Sequence, residues 1–345
     1  MDVETAERTF EAYRAGLLTP PVRPSKPVFY RVLMDAVIGR IELRERLVFR
    51  KSYRATQQGL AAARQGDLET AAERFASSRG ILESARPGEA CHLLATTFVE
   101  AAHAYLEYRH GRLDRARERI FTALDSDLAL ESDDAFGCLE MHRIQLADNL
   151  MMIDFREGLH ERGLVLAGSI LAYGEGLADS LPIHRGWRPD LVRRAPLSVR
   201  KGALGQIAHE VAIVFPKCPA PELWAAIATI AAPLAAPAAL QPRVHQWLLA
   251  REAWARRDAE RFLALLAELL PGGRSDLGAA WYAAVLDFAE HCGELQTEVG
   301  DLVRKAILRD VKWWPDLPAP FRPLTTRRAP ARKKPAGARK SRARK

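Results

Sequence analysis

The sequence predicts an all-α fold, and three observations support that prediction. Strong helix formers, chiefly alanine, leucine, arginine and glutamate, dominate the chain. Apolar residues recur at three- and four-residue intervals, whereas the alternation typical of strands rarely persists. Short interruptions such as Gly66-Asp67 separate amphipathic stretches, as expected where consecutive helices reverse direction. At 345 residues, the chain is long enough to bury a sizeable core.

The first elements are separated by prolines. Residues 1–18 predict an amphipathic helix, and the four prolines of residues 19–27 predict a stiff, extended connection. A long helix follows from Phe29 to Arg64, and Gly39 marks a point at which it could divide into two helices.

A helical hairpin is predicted over residues 52–85. One helix ends at Arg64, the chain reverses at residues 65–67, and a second helix follows. Gly66 suits the left-handed position that ends a helix, and Asp67 can cap the next one. Gly59 and Ala71 are small, which allows the two helices to approach each other closely.

This hairpin resembles a tetratricopeptide repeat. That family places small, turn-forming and large apolar residues at fixed spacing, and the spacing occurs here twice. The matching residues are Gly59, Gly66, Ala71, Phe75 and Ser78 in the first copy, and Ala104, Gly111, Ala116, Ile120 and Ala123 in the second. The two turn glycines are 45 residues apart, compared with about 34 in the family. The resemblance covers about residues 53–130 and implies a right-handed stack of antiparallel helical hairpins.

Further helices are predicted without this residue pattern. A third hairpin starts near Met141 and a fourth covers residues 244–273. The individual helices predicted after residue 202, including those of the fourth hairpin, are 203–215, 222–236, 242–256, 258–270, 276–292 and 294–310. The sequence thus divides into an N-terminal helix with its connection (1–28), tetratricopeptide-like repeats (29–178), a basic irregular loop (179–202), C-terminal helical repeats (203–314), and a Pro-rich, basic, disordered tail (315–345).

The tail concentrates the positive charge. Residues 322–345 contain 11 Lys and Arg and no acid, so the preceding 321 residues have a net charge of −3. By composition the tail resembles those of linker-histone-like proteins. It predicts salt-sensitive contact with DNA or RNA, or with an acidic protein or membrane surface; the alternative is a solubilising tail without a partner. The expected contact residues are Arg327, Arg328, Arg332, Lys333, Lys334, Arg339 and Lys340.

The basic loop is a second candidate for anion binding. Guanidinium groups beside an indole can hold phosphates and stack on bases, and the residues that could do so are Arg185, Trp187, Arg188, Arg193 and Arg194. The alternative is a solvated connection in which Trp187 packs on the helices. A small-molecule site, if present, is expected here, near His184.

Motifs for catalysis and metal binding are missing from the sequence. It contains no GxxxxGK[ST], GxGxxG, GxSxG or HExxH. The four cysteines are 40 or more residues apart, which predicts buried thiols of a reducing compartment. The acidic run from Asp125 to Asp134 lacks the glycine of a calcium loop and predicts a solvated loop. We therefore expect no enzyme, no cofactor and no metal.

Location is predicted from further absences. The N-terminus lacks a secretory signal, and the most apolar window, residues 223–240, is interrupted by Pro233 and Pro237, so no membrane span is expected. A bacterial cytoplasm fits the Ala- and Arg-rich composition.

The resemblance also implies a peptide-binding groove lined by first helices. The groove residues would be Arg54, Gln57, Gln58, His103, Glu107 and Tyr108. The predicted function is a non-enzymatic scaffold for protein–protein interaction with a basic tail. The alternatives are a nucleic-acid-binding protein that uses residues 182–201 together with the tail, or an enzyme or accessory protein with an anionic-ligand site near Trp187.

Overall fold

The computed structural model describes residues 3–19, 34–131, 134–214, 224, 240–274, 277–295, 297–314 and 316–326. All regular secondary structure in these ranges is helical. The α-helices are α1 (Val3–Leu18), α2 (Arg46–Gln65), α3 (Leu68–Ala85), α4 (Glu89–Arg109), α5 (Leu113–Glu131), α6 (Glu140–Glu157), α7 (His160–Glu175), α8 (Pro189–Arg194), α9 (Leu197–Val214), α10 (Pro242–Ala255), α11 (Ala259–Leu269), α12 (Gly278–Glu294) and α13 (Glu298–Lys312). Short 3-10 helices cover Asp134–Leu139, Leu270–Gly272 and Ala319–Thr326. Within the described ranges, no helix is both long and apolar enough to cross a bilayer.

Consecutive helices pack against each other across short turns. The pairs α2–α3, α4–α5, α6–α7, α10–α11 and α12–α13 are each in extensive contact. Successive pairs also touch, since α2 and α3 both contact α4, and α5 contacts α6. The all-α prediction is confirmed, and the helix expected over residues 222–236 lies outside the described residues except for Trp224.

Four of the hairpin turns share one backbone arrangement. The residue at the left-handed position donates its N–H to the carbonyl three residues earlier, and the next residue donates to the carbonyl five residues earlier. The left-handed residues and their φ angles are Gly66 (92°), Gly111 (77°), Gly158 (85°) and Arg257 (60°). The predicted roles of Gly66 and Asp67 are confirmed, because the Asp67 side chain accepts from the Thr70 N–H at 3.1 Å.

The small residue Gly59 is required by the packing of α2 on α3. A Cβ atom added to Gly59 would lie 2.8 Å from Cε1 of Phe75 and 3.1 Å from the carbonyl oxygen of Ala71. The predicted close approach of the two helices is therefore confirmed. The predicted break at Gly39 is also confirmed, since residues 34–38 are helical and α2 starts at Arg46.

Helix α1 packs on the C-terminal half of the chain. It contacts α11 and the 3-10 helix that follows it. Thr9 Oγ1 donates to the Leu263 carbonyl at 3.3 Å, and the ring of Tyr13 stacks on Trp281 at 6.1 Å. Gly16 permits this contact, because an added Cβ atom would lie 2.1 Å from the Leu270 carbonyl oxygen. The N-terminal helix thus belongs to a core built mainly from distant sequence.

Three sequence-based boundaries need correction. The irregular loop expected over residues 179–202 contains α8 and the start of α9. Residues 316–326, expected to belong to the disordered tail, contain Leu317 and Phe321, which are buried in the main core. Residues 125–131 of the acidic run, expected to be a solvated loop, form the end of α5, where Asp127 and Glu131 are buried.

The described cysteines are free thiols. Cys91 and Cys292 are buried, as predicted, and Cys138 is partly buried. Burial, together with the nearby Glu45 charge, raises the pKa of Cys91 to about 11, and burial raises that of Cys292 to about 12. These two thiols are therefore protonated at neutral pH. Cys218 lies outside the described residues.

Candidate functional site

The exposed side of α2 is basic. This 20-residue helix contains no Asp or Glu. Its outward side chains are Arg50, Lys51, Arg54, Gln57, Gln58 and Arg64, which we call the basic face. Residues three and four positions apart lie on one side of a helix, which places 50, 54, 57 and 58 in a row. Within the described part of the chain, none of the four cations forms an ion pair with a carboxylate.

The opposite side of α2 fixes the direction of the basic face. Phe49 and Gly59 are buried there, together with three hydroxyl side chains. Ser78 Oγ of α3 lies 2.7 Å from Ser52 Oγ and 2.9 Å from Thr56 Oγ1. Buried polar groups that satisfy one another define one helix register, so the basic face points away from α3.

A row of tyrosines and arginines continues from the C-terminal end of α2. Tyr105 and Tyr108 of α4 stack at 6.2 Å. The Arg109 guanidinium lies 5.9 Å from the Tyr105 ring and donates to the Ala63 carbonyl at 3.0 Å, which links α4 to α2. The Arg156 guanidinium of α6 lies 4.4 Å from the Tyr108 ring. This tyrosine–arginine row connects the first helices of three successive hairpins.

Two of the predicted groove residues lie elsewhere. Glu107 is buried, forms an ion pair with Arg112, and lies 3.4 Å from His103 Nε2. His103 stacks on Phe75 at 5.2 Å, between α3 and α4. Glu107 is thus unavailable on an exposed face, because it is buried beside Arg112 and Arg119 of its own hairpin. Of the predicted groove residues, Arg54, Gln57 and Gln58 share the basic face, and Tyr108 belongs to the adjoining row.

The charges around His103 keep its ring neutral. Burial, together with the nearby cations Arg119 and Arg79, lowers the pKa of His103 to about 4, although the carboxylates of Glu100 and Glu107 oppose the shift. Burial alone would raise the pKa of Glu100, but hydrogen bonds from Arg79 and Arg119 lower it overall. This network of charges joins α3, α4 and α5.

The basic loop wraps around a buried arginine that the sequence analysis did not identify. Arg143 of α6 is fully buried and lies 3.1 Å from Glu131 and 2.9 Å from Glu140. It also donates to the Gly186 carbonyl at 2.8 Å. Glu140 and His142 directly precede Arg143 in the sequence, but an acid close to a histidine does not predict a buried arginine beside them.

Trp187 is unavailable for stacking on an external base. Its ring is buried, meets Tyr173 edge-on at 5.5 Å, and lies 4.2 Å from the Arg143 guanidinium. The alternative in which Trp187 packs on the helices is therefore confirmed. His184 is also engaged, since its Nε2 lies 3.0 Å from Asp125 Oδ1.

The arginines of this loop are partly neutralised by neighbouring groups. Arg188 and Arg194 lie 3.5 Å and 3.8 Å from Asp190. Arg193 donates to the Gly176 carbonyl and lies 3.8 Å from Asp179. Arg185 is exposed, but its carbonyl accepts from Arg143. The tail cations predicted to bind nucleic acid, from Arg327 to Lys340, lie outside the described residues.

Over the described ranges, no three His, Cys, Asp or Glu side chains are grouped so as to hold a metal ion. The chain matches no protein-family model, and neither a curated protein nor a solved structure is significantly similar to it.

Proposed function

We propose that this protein is a non-enzymatic helical scaffold that binds an extended acidic segment of a protein partner. The segment lies along the basic face of α2 and continues over the tyrosine–arginine row. The observation that carries this proposal is a 20-residue helix without an acidic residue, whose exposed cations are left unpaired by the described part of the chain.

The chemistry of the two surfaces suits such a segment. A helix of this length spans about 30 Å, which matches about nine residues of extended peptide. Arg50, Lys51 and Arg54 offer charge-assisted hydrogen bonds to carboxylates, while Gln57 and Gln58 can bond to a peptide backbone. Tyr105 and Tyr108 add aromatic surface beside the guanidinium groups. A right-handed stack of hairpins, as the resemblance implies, would join these surfaces into one groove.

The basic tail has a supporting role in this proposal. Its Lys and Arg add salt-sensitive attraction to nucleic acid or to an acidic surface, without sequence specificity. We place the protein in the cytoplasm, where its widely spaced cysteines remain reduced.

The experiment compares charge variants of the full chain in affinity purification. The test variant is Arg50→Glu/Lys51→Glu/Arg54→Glu, and the control is Arg74→Glu/Arg115→Glu/Lys305→Glu, which removes three exposed cations from other helices. Each is purified with and without nuclease. A protein that co-purifies with the parent and the control but not with the test variant supports the proposal, provided that nuclease does not release it.

Two results would contradict this function. Equal retention of every partner by both variants would show that the basic face is not the binding surface. Loss of all bound material after nuclease treatment would favour the alternative in which the chain binds nucleic acid.

A further inference from the structure

A pocket lies where the α10–α11 turn meets the end of α12. It has a volume of about 210 Å³. Its walls include three rings: Trp254 lies 5.1 Å from Phe262 and 5.8 Å from His291, and Phe262 lies 5.7 Å from His291. Arg257 and Glu294 stand at its rim. It is remote in sequence from the basic face and independent of it.

This pocket forms because the α10–α11 hairpin has a large residue where the other hairpins have a small one. In each of the four hairpins, the residue five positions after the left-handed residue donates its N–H to the carbonyl four residues earlier. These four positions are therefore structurally equivalent. They are occupied by Ala71, Ala116, Gly163 and Phe262. In the first three hairpins a small residue lets the helices close together. In α11, the phenyl ring of Phe262 stands beside the indole of Trp254 instead.

The turn of the α10–α11 hairpin also differs from the turns of the other three hairpins. Three equivalent turns have glycine at the left-handed position, whereas α10–α11 has Arg257, with φ of 60°. An L-residue with a side chain is disfavoured in this conformation. Its guanidinium lies 5.3 Å from the Trp254 ring centroid and 2.9 Å from a carboxylate oxygen of Glu294. The strained residue thus places a cation over the aromatic wall.

The electrostatics of the rim favour a positive guest. Glu294 contributes a carboxylate that faces Arg257. Asp258 caps the start of α11, where it accepts from the Arg261 N–H at 3.1 Å and balances the partial positive charge of that helix end. Helices α10 and α12 both end at the pocket, and helix C-termini carry partial negative charge. Burial lowers the pKa of His291, so that its ring is neutral at pH 7 and adds no opposing charge.

Arg257 is held weakly in this position. Its side chain is 67% exposed and that of Glu294 is 42% exposed. Exposed ion pairs and exposed cation–π contacts contribute little to stability. An external cation can therefore exchange with it.

We propose that this pocket binds the guanidinium group of an arginine side chain from another molecule, and that Arg257 occupies the same place when no guest is bound. The guest would stack on Trp254 and pair with Glu294, while its alkyl stem packs against Phe262 and His291. Arg257 is then an internal competitor rather than a ligand-binding residue.

The test is calorimetric titration of the full chain with Nα-acetyl-arginine methylamide. The matched probe is the citrulline analogue, which has nearly the same shape but no charge. We expect the arginine probe to bind and the citrulline probe to bind at least about fivefold more weakly.

Variants then separate competition from recognition. Arg257→Gly should tighten binding of the arginine probe by about two- to fivefold, because the competitor is removed and glycine fits the left-handed turn. Glu294→Gln and Trp254→Leu should each weaken it by a similar factor. Lys305→Ala, which removes an exposed cation from α13, should leave it unchanged.

The proposal is overturned if Arg257→Gly weakens binding, since the pocket would then recognise an anion through Arg257. Equal binding of the two probes, or binding of neither to the parent and Arg257→Gly proteins, would also overturn it. Thermal unfolding of each variant checks that the chain remains folded, and Glu294→Gln alters an exposed side chain, a type of change that has little effect on stability.

Discussion

The guanidinium carbon of Arg143 lies 4.2 Å from the ring centroid of Trp187, and both side chains are buried. The same guanidinium reaches Glu131 of α5 and Glu140 of its own helix. A single buried cation therefore joins α5, α6 and the segment before α8. This arrangement explains why a stretch rich in arginine, glycine and proline is packed against the helices.

Removal of Arg143 should be strongly destabilising. Arg143→Met leaves buried carboxylates without their counter-ion, and we expect the free energy of unfolding to fall by about 3–5 kcal/mol. Urea denaturation followed by circular dichroism measures this change. Arg115→Met, at an exposed position of α5, should change it by less than about 0.5 kcal/mol. Similar small effects at both positions would show that the buried network contributes little.

Replacement of the two glutamates beside Arg143 by glutamine should have unequal effects on stability. Burial and the neighbouring Glu140 raise the pKa of Glu131 to about 9, so Glu131 holds a proton at neutral pH. Glu140 also accepts from the Arg188 N–H at 3.0 Å. Glu140→Gln should cost about 3 kcal/mol or more, and Glu131→Gln about 1 kcal/mol or less. The reverse order in urea denaturation would contradict the raised pKa of Glu131.

Alanine should have opposite effects at two helical glycines. Gly59→Ala places a methyl group against Phe75 and should destabilise the protein by about 1–3 kcal/mol. Gly80→Ala, in α3, meets no atom within 4 Å and should stabilise it by about 0.5–1 kcal/mol, because alanine favours the helix. The measurement is the midpoint of thermal unfolding. A stabilising Gly59→Ala would exclude the tight contact between α2 and α3.

Helix α1 should protect the C-terminal helices. Tyr13 is buried, stacks on Trp281 and donates to Asp310 at 3.2 Å. Tyr13→Ala should destabilise this region by about 3–5 kcal/mol. Amide hydrogen exchange should accelerate in α11 and α12 while α2 and α3 change little; Arg14→Ala, at an exposed position, is the control. Uniform acceleration along the chain would instead indicate one cooperative unit.

A carboxyl pair between α6 and α9 should make stability depend on pH. Gln206 Nε2 lies 3.1 Å from Asp148 Oδ2 and 3.2 Å from Glu210 Oε1. Burial raises the pKa of Glu210 from 4.5 to about 7, and burial with the Glu210 charge raises that of Asp148. The folded state therefore binds more protons than the unfolded state over this window, so these groups lower the free energy of unfolding as pH rises from about 4.5 to 7.

The matched test is Glu210→Gln. Relative to the parent, the variant should gain on the order of 1–3 kcal/mol of stability between pH 5 and pH 7.5, because it cannot ionise. Urea denaturation at both pH values measures the difference. Glu118→Gln, at an exposed position of α5, should show no such gain. A parent and variant with parallel pH profiles would contradict the raised pKa of Glu210.

The local elements of this fold can be predicted from nearby residues. The helices, the break after Gly39, and the turn at Gly66 and Asp67 follow from propensity, capping and backbone conformation, which depend on residues close together in the chain. The small residues Gly59 and Ala71 also predicted the close approach of α2 and α3, since both belong to one hairpin.

Which of these helices and loops contact one another depends on long-range packing. Tyr13 packs on Trp281, and the acidic end of α5 is buried because His142 and Arg143 supply partners, with Asp127 2.7 Å from His142. From the sequence, Trp187 could either stack on a bound base or pack on the helices. It is buried because Arg143, which is distant in sequence, lies against its ring. Long-range packing determines whether a polar or aromatic side chain is buried, and a local sequence pattern does not predict this burial.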